Sequence, residues 1–163
     1  MITIVTMEPS HWPDVKRIYQ EGIKTKQATF ETEAPEWEQW NSAHLKTCRL
    51  VALEEKKVLG WAALSPVSGR CVYGGVAEVS VYLDSEARGK GLGKKMLAQL
   101  IIESEANNLW TLQSGIFPEN IASVKMHTDN GFRVVGNRVR IGQLDGVWKD
   151  TILLERRSTK NGI

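Results

Sequence analysis

Three glycines at alternate positions, Gly89, Gly91 and Gly93, are interleaved with the cations Arg88, Lys90, Lys94 and Lys95. Glycine allows positive φ and lets a ligand approach main-chain amides closely. A helix starting here also aims unpaired N–H groups and its positive dipole end at the same point. The combination is an anion site suited to phosphate oxygens, with the basic side chains adding mobile charge. Two other phosphate loops do not fit. A Walker loop wants glycine where Arg88 stands and a hydroxyl where Lys95 stands, and a dinucleotide fingerprint starting at Gly89 wants glycine where Lys94 stands. The alternative reading is a flexible surface turn with solvated lysines.

The second residue with chemical potential is Glu78. In an extended Val76-to-Leu83 segment, alternation puts Val76, Glu78, Ser80 and Tyr82 on one face and Ala77, Val79, Val81 and Leu83 on the other. An ionised, unpaired carboxylate among such neighbours costs several kcal/mol, so its pKa should rise. A Glu tuned toward neutral pH is suited to moving a proton. A core Glu satisfied by a neighbouring Arg is the alternative.

The elements that must hold these residues are short and alternate in period. Ile2 to Met7 reads as a strand. Ser10 can cap a helix with Pro13 in its first turn and Val15, Ile18 and Tyr19 on one face. A second helix follows near Pro35, with Trp37 and Trp40 three apart. Leu50 to Leu53 and Val58 to Leu64 flank Glu54-Glu55-Lys56-Lys57 as a hairpin. Gly75 to Leu83 is a strand, and Gly91 to Asn107 a helix with Leu92, Met96, Leu97, Leu100 and Ile101 at helical spacing. Thr111 to Phe117 is a strand and Ile121 to Asn130 a short helix. Val134 to Ile141 and Val147 to Leu154 close the chain around Gly142-Gln143-Leu144-Asp145-Gly146. This order predicts an α/β fold whose mixed, mostly antiparallel sheet carries helices on both faces.

With 163 residues, 42% hydrophobic and 25% charged, and a mean hydropathy of −0.27, the chain suits one globular domain over residues 1–157 with a frayed basic tail at 158–163. No apolar run reaches the roughly 20 residues of a membrane span, and the start lacks a secretion signal, so the expected compartment is the cytoplasm. A net charge of +2 gives no case for nucleic acid. Cys48 and Cys71 lack metal spacing and read as buried free thiols; His11 and His44 read as surface or packing groups.

Arg88-Gly89-Lys90-Gly91-Leu92-Gly93 resembles the R/Q-x-x-G-x-G/A motif of the GNAT N-acetyltransferase family, whose backbone amides hold the pyrophosphate of acetyl-CoA. Val79-Ser80-Val81-Tyr82-Leu83 before it, and Asn120-Ile121-Ala122-Ser123 leading to Asn130-Gly131-Phe132 after it, are similar to that family too. Ile18-Tyr19, Ala28-Thr29-Phe30-Glu31-Thr32, Glu78-x-Ser80-Val81-Tyr82, Met126-His127 and Trp148-x-Asp150 look like its phosphinothricin and methionine sulfoximine branch. The resemblance runs from Ile4 to about Leu154.

It implies a sheet splayed in the middle, acetyl-CoA as cosubstrate and no metal. Cofactor contacts fall on Val81, Tyr82, Leu83, Arg88, Gly89, Lys90, Gly91, Leu92, Gly93, Lys94, Asn120 and Ser123. Glu78 matches the family's general base, and His127 stands where many relatives carry a Tyr proposed to protonate the leaving thiolate; a structural histidine is the alternative. Phe30, Glu31, Arg70 and Tyr73 match the acceptor side, where a guanidinium can bind a carboxylate bidentately. The chain departs from some relatives at Gly74-Gly75-Val76, where an Arg and a Thr precede the catalytic strand, and at Leu144, often Lys. The implied activity is direct transfer of acetyl to the amine of a small amino-acid-like acceptor in a ternary complex. Acetylation of a peptide or protein amine, or an acyl-CoA-binding sensor without turnover, are the alternatives. The branch commonly forms homodimers, and Trp37, Trp40 and Trp61 read as core or dimer packing.

Overall fold

A computed structural model describes residues Met1 to Ile163. Seven strands form one sheet: β1 (Ile2–Thr6), β2 (Leu50–Glu54), β3 (Lys57–Pro66), β4 (Val76–Leu83), β5 (Thr111–Ile116), β6 (Arg133–Leu144) and β7 (Val147–Arg157). Their spatial order is β1-β2-β3-β4-β5-β7-β6. Only β4 and β5 run parallel; the other neighbours are antiparallel. The mixed sheet expected from the sequence is present, with α1 (Trp12–Lys24) and α2 (Trp37–Ala43) over one face and α3 (Leu92–Ala106) and α4 (Ile121–Thr128) over the other.

Alternation along β3 builds both cores. Trp61 and Ala63 point to the α1 and α2 side, where they meet Val15, Ile18 and Trp40. Ala62 and Leu64 point to the α3 side, against Met96, Leu97 and Leu100. Trp40 and Trp61 are fully buried, so these two indoles pack the core of the chain itself. Trp61 stacks on Tyr82 with centroids 5.0 Å apart, and Tyr82 meets Tyr19 at 4.9 Å. Gly22 lets α1 come this close, since a Cβ there would stand 2.7 Å from the Tyr82 ring.

Two expectations are corrected. The tail after β7 does not fray: Ser158 is buried, and the Asn161 amide donates to the carbonyls of Glu105 and Leu109 at 2.8 and 2.9 Å. These are carbonyls at and beyond the end of α3, which need partners outside the helix. Cys71 is exposed in a short 3-10 turn at Cys71–Tyr73, whereas Cys48 is buried as expected.

Candidate active site

The feature that opens the sheet is the brevity of the β4–β5 ladder. It pairs only Val76, Ala77 and Glu78 with Thr111, Leu112 and Gln113, after which the two parallel strands separate. β4 keeps its partner β3 as far as Leu83. The β5-facing edge of β4 beyond Glu78 therefore has no strand against it, and two concavities meet there.

On the α1 and α2 side lies a cleft of about 330 Å³ bounded by Tyr19, Phe30, Glu31, His44, Glu78, Tyr82, Phe117 and Thr151. Glu78 is half-buried at its base. Burial pushes its carboxyl above the ordinary value, and the Gly115 amide and the charge of Arg138 pull it partly back. Phe30 and Phe117 meet edge to face at 4.9 Å to form one wall. Burial and the Glu31 charge raise the Tyr19 phenol to about 12, and burial first of all raises that of Tyr82, so both remain protonated. His44 stacks on Trp40 at 4.2 Å and its Nδ1 donates to the Trp40 carbonyl at 2.7 Å, while burial lowers its pKa and keeps it neutral. His44 packs as expected, yet it also borders the cleft, a placement invisible without the α2 geometry.

On the other side of the opening runs a groove of about 640 Å³ along Val81, Tyr82, Leu83, Arg88, Gly89, Gly91, Gly93, Lys94, Asn120 and Ser123. Gly89 and Gly91 both have positive φ, 76° and 80°, with open space where a Cβ would stand. Gly91 caps α3 without any side-chain partner, and the first backbone bond back to it comes from Lys95 at 3.3 Å. The amides of Leu92, Gly93 and Lys94 thus face the groove's end as donors, at the positive end of a 15-residue helix. This is the cradle a diphosphate requires, and it fits. Asp84 steadies the approach: burial pushes its carboxyl up, but the Glu86 amide and Arg17 outweigh this and hold it ionised. Its Oδ1 accepts from the Glu86 amide and its Oδ2 from Arg17, both at 2.9 Å.

Ten of the twelve residues expected to contact a cofactor line this groove. Leu92 turns its side chain into the core, leaving only its backbone to the loop, and Lys90 is exposed outside the lining. Asn120 caps α4 by accepting from the Ser123 amide at 3.3 Å and donates to the Gln27 carbonyl at 3.2 Å, tying the α1–α2 segment to the groove. Phe30 and Glu31 line the same cleft as Glu78. Arg70 and Tyr73 do not: they are exposed and stack on one another, guanidinium to ring 5.6 Å. His127 faces neither concavity. It is 2% exposed, packs edge-on against Phe132 and donates from Nδ1 to the Ser123 carbonyl at 2.7 Å, while Nε2 has no partner.

Residues 12–132 match the acetyltransferase (GNAT) family, and the chain belongs to it. The phosphinothricin N-acetyltransferase of Alcaligenes faecalis is 29% identical over 160 residues, covering 94% of this chain and 81% of that one. The L-methionine sulfoximine/L-methionine sulfone acetyltransferase of Salmonella typhimurium is 30% identical over 131 residues, 71% of this chain and 77% of its own. Among solved structures, a GNAT phosphinothricin acetyltransferase from Sinorhizobium meliloti in complex with AcCoA superposes with a TM-score of 0.89 at 26% identity, covering 99% of this chain and 90% of that one. No helix is long and apolar enough to cross a membrane.

Proposed function

We propose that the protein transfers acetyl from acetyl-CoA directly to the primary amine of a small amino-acid-like acceptor, with Glu78 as general base. The observation that carries this reading is the junction of the two concavities: Ala28 and Tyr82 line both the cleft holding Glu78 and the groove ending at the α3 amides. A thioester delivered along the groove reaches the cleft through that junction. The named relatives, which act on phosphinothricin and methionine sulfoximine, support the acceptor class.

Acetyl-CoA supplies the activated acetyl group. The α3 amides and the Arg88 and Lys94 side chains hold its diphosphate, and the free edge of β4 at Val81, Tyr82 and Leu83 hydrogen-bonds the arm. Glu78 removes the proton from the acceptor's ammonium, directly or through water. Its raised pKa brings its basicity closer to the task than an ordinary carboxylate would allow. The freed nitrogen forms the amide C–N bond as the C–S bond breaks, and the second proton that the nitrogen sheds is taken up by the departing thiolate. An unpaired amide on the free edge of β4 would stabilise the charge that develops on the thioester oxygen, an effect of several kcal/mol when preorganised.

A thiol-release assay across amino acids and their sulfoximine and phosphinic analogues tests the proposal. Release above the enzyme-free blank with at least one of them is expected; release equal to the blank with every amine would overturn it. The reading includes a homodimer, supported by the exposed Val134, Val139 and Ile141 on edge strand β6 and the exposed Trp148 on β7. Light scattering would report twice the protomer mass; a monomer mass at micromolar concentration would remove that part.

A further inference from the structure

The cleft around Glu78 can hold an ammonium but has no cationic side chain on its walls to pair with an acid. The ionisable side chains on its walls are Glu31 and Glu78, the neutral His44 and two protonated phenols. An amino-acid acceptor brings a carboxylate as well as an amine, and beside Glu31 and Glu78 the wall hydroxyls leave that negative charge uncompensated unless a cation stands within reach.

The strand register supplies one. Arg138 on β6 lies directly opposite Thr151 on β7, and Thr151 lines the cleft. Directly opposed residues of an antiparallel pair share a face of the sheet. The same face can be followed from Glu78 to its partner Gln113 on β5 and on to Glu155 on β7, which lies an even number of residues from Thr151. Arg133 and Lys149 also stand on this face of the β6–β7 pair. Both are engaged: Arg133 pairs with Glu155 at 2.5 Å, and Lys149 pairs with Glu119 at 3.2 Å while lying over the Phe117 ring. Arg138 makes no ion pair and no side-chain hydrogen bond, and its charge is nonetheless felt at the Glu78 carboxyl. Immediately beyond it β6 bulges, with Arg140 at φ 49° and its amide donating to Asp150 at 2.8 Å. Such an irregularity re-aims a strand beside a site.

We propose that Arg138 receives the acidic group of the acceptor and so turns its amine toward Glu78, making Arg138 the residue that separates amino-acid-type acceptors from plain amines. This rests on the proposed acetylation of a small amine and adds the residue that reads the acceptor's second charge. It also replaces Arg70, whose guanidinium lies over Tyr73 outside the cleft. A guanidinium and a carboxylate form paired, charge-assisted hydrogen bonds, and a lysine reproduces the charge without the fork.

The test compares kcat/KM for several free amino acids with kcat/KM for their carboxamides, which keep the amine and lose the acid. In the wild-type protein the acid-to-amide ratio exceeds one for the accepted side chains. Arg138→Ala lowers that ratio about tenfold to a hundredfold, Arg138→Lys restores part of it, and Arg133→Ala leaves it unchanged. Coenzyme A binding by calorimetry, equal in wild type and Arg138→Ala, confirms that the variant folds. An unchanged ratio in Arg138→Ala, or a wild-type preference for carboxamides, overturns the assignment while leaving amine acetylation standing. No turnover of any acid or amide by the wild-type protein overturns the acetylation itself, and the role of Arg138 with it.

Discussion

Glu78 and Tyr82 stand four residues apart on the same face of β4, Glu78 inside the cleft and Tyr82 on the wall that the cleft shares with the groove. On the proposed reading, strand periodicity alone brings the base and the thioester together, because side chains two and four apart on a strand point the same way. Replacing Glu78 with Gln keeps the size of the side chain and removes its basicity. Turnover should fall by about a hundredfold to ten-thousandfold, with coenzyme A affinity unchanged in calorimetry. In the wild type, kcat/KM should climb with pH through an inflection above the ordinary carboxylate range, since burial raises the Glu78 pKa.

The same shift has a consequence for stability. A carboxyl whose pKa is raised by folding holds its proton more tightly in the folded state than in the unfolded one. Its contribution is therefore complete below the unfolded value and is lost as pH rises through the folded value. Glu78→Gln, which cannot ionise, should unfold at a higher temperature than wild type at pH 7 to 8, and the gap should close below about pH 4. Thermal unfolding at the two pH values checks both halves, and a variant less stable than wild type at pH 8 would contradict the buried-carboxylate argument.

Gly91 carries the loop's most demanding backbone, at φ 80° with nothing within 4 Å of a hypothetical Cβ. Alanine there meets no neighbour, so the penalty is conformational, about 1 to 2 kcal/mol for an L-residue in the left-handed region. Gly91→Ala should lower the melting temperature and weaken coenzyme A binding about tenfold, because a loop that relaxes to negative φ turns its amides off the diphosphate. Differential scanning calorimetry and titration calorimetry measure the two effects.

The buried His127 gives a prediction of opposite sign to that for Glu78. Burial lowers its pKa, with the Ser123 carbonyl opposing. A histidine kept neutral by folding contributes stability that is present above its unfolded pKa of about 6.5 and is lost as pH falls toward its folded value. His127→Leu should therefore unfold at a lower pH than wild type on acid titration. Because the ring faces Phe132 and not the groove, kcat/KM at neutral pH should stay within about threefold of wild type.

Much of this architecture was legible in residue order. The alternation of β4, the glycine spacing of the loop and the apolar repeat of α3 each specify a local conformation, and each is present. What escaped depends on how elements meet. Helix α4 turns Ile121 to solvent, 75% exposed, and His127 inward, 2% exposed, the reverse of what hydrophobicity favours. Arg70 and Tyr73 precede β4 closely in sequence, yet the short 3-10 turn carries them away from the cleft. Arg138 lies 60 positions after Glu78 and reaches the same face only through the register of β5, β7 and β6, which no local pattern encodes.

The C-terminal residues show the same dependence and permit the last test. Ser158 to Ile163 read as a solvated basic end, but Asn161 lies against the end of α3, where the carbonyls of Glu105 and Leu109 each take one of its amide hydrogens. Arg157 adds bonds to the carbonyls of Asn161 and Gly162 at 2.8 and 2.6 Å. Each such bond is worth about 1 kcal/mol net, and a carbonyl left buried without its donor costs more. Asn161→Ala should therefore destabilise the protein by about 1 to 2 kcal/mol in urea unfolding, and removal of residues 158–163 by more than that. A frayed tail predicts no change from either alteration, so a truncated protein with the wild-type urea midpoint would show that these contacts carry no stability.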